Sequence, residues 1–430
     1  MTEVPPGASD TPTTLLVSPS LQGHRVIYCR VLAGLIAGAG RRVVVASDLR
    51  DPAVAGDPLL IDLEATPGVE LRDTSPIREG RTVTVQGLRE LAANVRADTV
   101  FLAEADDLAG RLADLRSALA HVRLVGLFIR STNYQYHRRP SAVARVRRRL
   151  RGSAGPDAAW EEFHTRTLPS KALLDAALVL DERFAEEHSR THHWLPDIYE
   201  EAPDAHGRAN GETALWKARL AAFLAAAGTR PLLVYVGANQ ERRGYDRLLR
   251  LALDEGAVVA HCGLFSLDGE PTDAEVLGLR AELESRAAFL GTEGAYLHPE
   301  TATLFLRAAR CVVFPYRGHD GSSGVMLQAL AAGRPVLVPD RGLMAFRTRA
   351  FGLGGTYRDG DADDLRRAFR ALQARPPEGF LERARGYLAF FSQEQVAAAV
   401  RAAMFRDGPG AVLPRQVAPG RDSGARWDAR

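Results

Sequence analysis

Short runs of consecutive apolar residues punctuate this chain at 14–19 (TLLVSP), 43–46 (VVVA), 59–63 (LLIDL), 99–103 and 124–129. They resume at 231–236 (PLLVYV), 257–261, 311–316 and 336–338. Each run is too short for a typical helix and is continuous rather than alternating, the pattern of a strand buried on both faces. Longer stretches of mixed character lie between them and read as helices, one over 25–37 ending at Gly38 and Gly40, another over 325–332 ending at Gly333. Strands alternating with helices predict parallel sheets covered on both faces. The first repeat is strand, turn with Gly23, helix, strand, the opening of a doubly wound unit.

The alternation breaks between 181 and 212, where the chain turns polar and carries Pro and Gly before the strand-loop-helix series restarts at 231. The expected organisation is therefore a first domain over 14–200, a linker and connecting helix over 201–229, and a second domain over 230–385. A helix over 386–407 is expected to cross back to the first domain, with disordered tails at 1–13 and 408–430. Ligand is expected in a cleft between the two α/β domains, at the carboxyl ends of their strands.

Composition narrows the function. At 430 residues the chain suits about two domains. A net charge of +2 argues against a bulk nucleic-acid binder. The three cysteines, Cys29, Cys262 and Cys311, stand in apolar segments without metal or redox spacing, which suits reduced, buried thiols and a cytoplasmic protein. The Ala-, Arg- and Gly-rich composition suggests a GC-rich bacterial source. No apolar run approaches the length of a membrane span. The basic stretch 138–151 lacks bulky apolar anchors, so a solvated helix or acceptor-side loop is favoured over membrane contact.

The candidate chemistry is concentrated at 314–340, FPYRGHDGSSGVMLQALAAGRPVLVPD. A strand, a loop of Gly, Asp and Ser, and a helix start make an anion site, because the first amides of a helix are unpaired and its dipole is positive there. Gly321 and Gly324 allow close approach of a ligand, and Ser322 and Ser323 are candidate caps or phosphate donors. A second loop, VGANQERRG at 236–244, brings Gly237, Arg242 and Arg243 to a strand end, where arginine suits a diphosphate. The acidic pairs Asp106-Asp107 and Asp363-Asp364 read as a helix start and a solvated helix rather than metal ligands. The spacing of His192-His193-Trp194 is not that of a metal site, and it is expected to pack near the hinge.

Together the two loops resemble the carboxyl domain of retaining GT-B glycosyltransferases, in particular the large family numbered four. That family shows Gly-Arg, a gap, then Lys-Gly. Here Gly237, Ala238, Arg243 and Gly244 hold those places, so the family arginine is replaced by Ala238. The two family glutamates fall on Asp320 and Gln328. The resemblance spans about 232–340 and implies a GT-B architecture, two Rossmann-like doubly wound domains facing across a cleft. It further implies a metal-independent hexosyl- or N-acetylhexosaminyltransferase that uses a UDP or GDP sugar as co-substrate, with no other cofactor. Asp320 would hold donor-sugar hydroxyls, Gln328 the ribose, Gly321 to Gly324 the diphosphate, and Arg243 the departing charge. In the first domain Gly23 would approach the donor. His24, Glu104, Arg130 and Asn133 are candidate acceptor contacts, and base contacts are expected near 296–299. The acceptor would be a small molecule or carrier-bound, in natural-product or cell-surface glycan assembly. The alternatives are a non-catalytic nucleotide-sugar binder, a sugar-nucleotide epimerase and a pseudo-glycosyltransferase.

Overall fold

A computed structural model describes residues 11–21, 24–51, 58–79, 82–129, 173–187, 192–199, 211–267, 272–292, 299–374, 378–405, 410 and 412–414. The chain divides into two units, one of residues 1–198 with 391–413, the other of 199–390 with 414–430.

The first unit is built on seven parallel strands: β1 (Thr13–Val17), β2 (Arg42–Ser47), β3 (Val69–Asp73), β4 (Thr99–Leu102), β5 (Arg123–Phe128), β6 (Ala176–Val179) and β7 (His192–Trp194). They lie in the order β3-β2-β1-β4-β5-β6-β7, so the chain winds one way from β1 to β3 and the other way from β4. Leu15 sits in register with Val44 and Val100, and all three are fully buried. Helix α1 (His24–Gly38) buries Val26, Cys29, Leu32, Ala33 and Ile36, a stripe at helical spacing. The Cys29 thiol is pushed up to about 12 by that burial.

The sequence placed a strand at 59–63, and the structure corrects this to a helix, Pro58–Glu64. In a half-buried strand Ile61 and Leu63 would share a face, yet Ile61 is 60% exposed and Leu63 fully buried. The strand at this edge is β3, whose sequence VELRD is only partly buried and lacks an apolar run.

The second unit opens with α2 (Gly211–Ala227) and carries β8 (Leu232–Val236), β9 (Val258–Cys262), β10 (Phe289–Gly291), β11 (Val312–Val313), β12 (Val336–Pro339) and β13 (Gly354–Tyr357). β8-β9-β10 and β11-β12-β13 are two parallel ladders, and β8 lies alongside β11. The order is again 3-2-1-4-5-6, with reversal between β8 and β11. Three helices position the site: α3 (Tyr245–Asp254) after β8, α4 (Gly324–Ala331) after β11, and α5 (Gly342–Phe351) after β12. The last described helix, α6 (Gln393–Phe405), buries Val396, Ala399, Val400 and Ala403 in the core of the first unit. Among the described residues no helix is long and apolar enough to cross a membrane.

Candidate functional site

In an open parallel sheet the ligand crevice forms where strand order reverses, at the carboxyl ends of the strands, because the two following connections leave on opposite faces. In the second unit that place lies beyond β8 and β11. The loop after β8 runs through Gly237 to Gly244, and the loop after β11 through Pro315 to Ser323.

The two loops are built as one piece. Gly244 has φ 64°, and a Cβ on it would lie 1.9 Å from the Pro315 carbonyl oxygen. Only glycine takes that backbone conformation readily and tolerates that approach. The Arg317 amide donates to the Arg242 carbonyl (2.9 Å) and its Nε to the Glu241 carbonyl (3.2 Å), while its guanidinium pairs with Asp246. Below, Tyr235 donates to the Ala238 carbonyl at 2.9 Å. The fully enclosed His261 lies 2.8 Å from the Gly237 carbonyl through Nε2 and 3.2 Å from the Tyr245 hydroxyl through Nδ1. A carbonyl only accepts, so Nε2 carries the proton and Nδ1 accepts from Tyr245. Burial holds the Tyr235 and Tyr245 hydroxyls above their ordinary range, so both remain donors.

Positive charge and free donors converge on this floor. The Arg243 guanidinium lies over Gly237, where a Cβ would come within 2.2 Å of Arg243 Nη1. The Arg243 guanidinium makes no hydrogen bond or ion pair among the described residues. At α4 the capping residue Ser323 makes no side-chain cap, and its hydroxyl lies 3.5 Å from that of Tyr316. The amides of Gly321, Ser323, Gly324 and Val325 find no acceptor among the described residues. The buried Arg347 of α5, 1% exposed, donates from Nη1 to Ser322 Oγ at 2.7 Å. Asp320 is 2% exposed. Its two oxygens accept from Arg341 Nε (2.7 Å) and Nη2 (2.9 Å), and its carbonyl accepts from the Leu343 amide (2.8 Å). Gln328 is half-buried, with no side-chain bond among the described residues.

His319 Nε2 lies 3.0 Å from the Ser322 carbonyl, to which it donates. Its pKa is held below the usual histidine value by burial first, then by the charges of Arg242 and Arg243, which outlines the same electropositive space. The folded protein thus resists protonation more than the unfolded chain. Its stability is full above the ordinary histidine value and falls as pH drops from there through the lowered one. Chemical denaturation at pH 5 and pH 7.5 should show a larger loss for the wild type than for His319→Gln, which keeps a donor. Equal losses would contradict the assignment.

The structure brings together Gly237, Arg242, Arg243, Asp320, Gly321, Ser322, Ser323, Gly324 and Gln328 at one end of the second unit. In the first unit Glu104 is buried and accepts from Arg25 Nε at 2.6 Å, and Asp106 accepts from the Ile129 amide at 2.7 Å. The corresponding crevice there is therefore lined by an ion pair already closed. Gln22 and Gly23 lie outside the described residues, as do Arg130, Asn133, the basic stretch 138–151 and residues 293–298; His24 begins α1, its side chain undescribed. His192 packs edge-on against Phe184 in β7. Sequence reasoning missed His319, Arg341 and Arg347. Arg341 is the second residue past the end of β12, a strand-end position that is a usable signal. Nothing local marks Arg347, since its burial is tertiary.

No protein-family model and no curated protein matches the chain. Solved structures do. Sucrose-phosphate synthase from Thermosynechococcus elongatus matches with TM-score 0.62 at 18% identity, over 90% of this chain and 96% of that one. Anabaena HepE, crystallised with UDP-glucose, matches with TM-score 0.64 at 10% identity, over 91% and 99%. The fold is that of the GT-B glycosyltransferases. The catalytic domain of starch synthase IV from Arabidopsis thaliana, bound to ADP and acarbose, is a further match with TM-score 0.58 at 13% identity, over 93% and 99%. The GT-B fold implied by the two loops is thus the one observed.

Proposed function

We propose that this GT-B chain is a retaining glycosyltransferase that binds a nucleoside-diphosphate sugar at the carboxyl ends of β8 and β11. The observation that carries the reading is the pairing of Arg243, whose guanidinium has no partner among the described residues, with the amides of Gly321, Ser323, Gly324 and Val325, which find no acceptor among them. Such a constellation stabilises negative charge as it develops on a departing diphosphate, and its donors are already oriented before reaction. Arginine and helix-start amides supply this charge stabilisation directly, so the reading calls on no metal ion. The departing diphosphate takes the proton of the acceptor hydroxyl on the same face of the sugar.

Asp320 stays in the site with a defined role. Arg341 takes one lone pair from each carboxylate oxygen, which fixes the plane of the group and leaves further lone pairs for sugar hydroxyls. Gln328, one turn beyond Gly324, offers both an acceptor and a donor to the ribose. The acceptor is assigned to the first unit as a small or carrier-bound hydroxyl compound. HepE was solved with UDP-glucose and starch synthase IV with ADP, so the base is left to measurement.

The test is a thermal-shift panel of UDP, GDP and ADP, followed by a donor screen read by mass spectrometry. Stabilisation by at least one diphosphate, and sugar transfer from its derivative, is expected. No stabilisation and no transfer would end this reading. Ala238, standing where the resembled family has arginine, favours a non-catalytic nucleotide-sugar binder as the second reading. Turnover that disappears in Asp320→Ala would exclude that second reading.

A further inference from the structure

A second electropositive cavity lies at the other end of the same sheet. Arg310 precedes β11, and Arg334 and Pro335 lead into β12, so they stand at the amino ends of these strands, away from the loops that follow them. With Gly379, Phe380, Leu381, Glu382 and Arg385 they line a cavity of about 650 Å³, within the range of small-molecule sites, about 300–1,000 Å³.

Its charge is unbalanced. Arg310, Arg334 and Arg385, with Arg307 beside Arg334, make no ion pair or side-chain hydrogen bond among the described residues. The Arg334 Nε is buried without an acceptor among them. Partial burial first, then the Arg307 charge, lowers the Arg334 pKa, so the two cations repel. The ordinary explanation is that arginines gather at helix C-termini, and two helices do end here, Pro299–Ala308 and Gly324–Ala331. Each helix end is equivalent to only about half a negative charge. Those two ends and Glu382 leave a surplus of about two positive charges. The nine-residue helix Phe380–Leu388 adds its N-terminus to the lining, capped by Gly379 without a side-chain bond. Phe380, Pro335 and the half-exposed Leu381 supply apolar wall.

We propose that this cavity is a binding site for a small molecule carrying phosphate groups, separate from the strand-end loops of the nucleotide site. A dianion matches the surplus charge, and the apolar wall accommodates an organic moiety.

The test uses pyrophosphate as probe, titrated calorimetrically at fixed ionic strength. Arg243→Ala weakens the strand-end site, so the share of the second cavity is read as the part of the remaining binding that depends on Arg310 and Arg385. Adding Arg310→Ala and Arg385→Ala, both exposed positions, is expected to weaken that binding at least tenfold. Circular dichroism checks the fold, and the single Arg385→Glu serves if the combined variant is unstable. Phosphatidylglycerol vesicles form a second arm, because a lipid headgroup presents the same chemistry. Absence of binding in Arg243→Ala would overturn the proposal. So would an unchanged isotherm on removing Arg310 and Arg385, or binding to vesicles but not to pyrophosphate.

Discussion

Arg243→Ala is expected to weaken nucleoside-diphosphate binding by roughly 10- to 100-fold, measured by calorimetry with UDP or whichever diphosphate stabilises the protein. A hydrogen bond to a charged group contributes about 1.5–3 kcal/mol, and about 1.4 kcal/mol is a factor of ten. The upper part of that range applies because no internal carboxylate competes for Arg243 among the described residues, so its loss is not buffered by freeing another group. Arg242 is exposed, and Arg242→Ala should cost less. Arg243→Lys should recover part of the affinity, since it keeps the charge but not the two-pronged geometry. An unchanged dissociation constant in Arg243→Ala would remove the diphosphate from this loop.

Gly244→Val is expected to destabilise the second unit by about 2–5 kcal/mol. The left-handed backbone costs a residue with a Cβ about 1–2 kcal/mol, and overpacking adds about 1–3. The clash is with the Pro315 carbonyl, 1.9 Å from the new Cβ. Backbone cannot turn aside as a flexible side chain would, so the loops after β8 and β11 must part. Gly256→Ala separates the two effects: Gly256 has φ 61° with nothing within 4 Å, and should lose only the conformational part. Thermal melts with and without nucleotide would read both stability and loop integrity. A Gly244→Val protein that melts and binds like Gly256→Ala would show that the loops are not coupled.

Much of this arrangement was legible in the sequence where local rules govern. The helix read over 325–332 is α4, Gly324–Ala331, because a glycine-serine loop opens it and Gly333 at φ 73° closes it. The runs at 43–46 and 336–338 proved to be central strands, buried on both faces as continuous apolar sequence implies. Legibility failed where burial is decided by distant chain. Residues 59–63 look like a strand, but only Leu63 of the described pair Ile61 and Leu63 faces the core. β3 is an edge strand and needs no apolar run. In the site, the glycines and Arg243 stand in recognisable spacings. Arg341 is marked only by its place past a strand end and Arg347 by nothing local, since their partners Asp320 and Ser322 lie 21 and 25 residues back and meet them only through folding.

The contact of Gly244 with Pro315 also has a kinetic side. These residues stand in loops that follow β8 and β11, strands with β9 and β10 between them in sequence, so the floor of the proposed diphosphate site is a product of long-range pairing. Such pairing bears its loop-closure entropy before any contact compensates it, and it forms late. During synthesis the Arg243 loop emerges well before its partner. A nascent chain arrested at the end of β12 lacks both Arg341 and Arg347, and with them the bonds that hold Asp320 and Ser322. On the proposed reading, nucleotide therefore becomes a ligand only once α5 is in place, and it protects the finished unit rather than guiding its assembly.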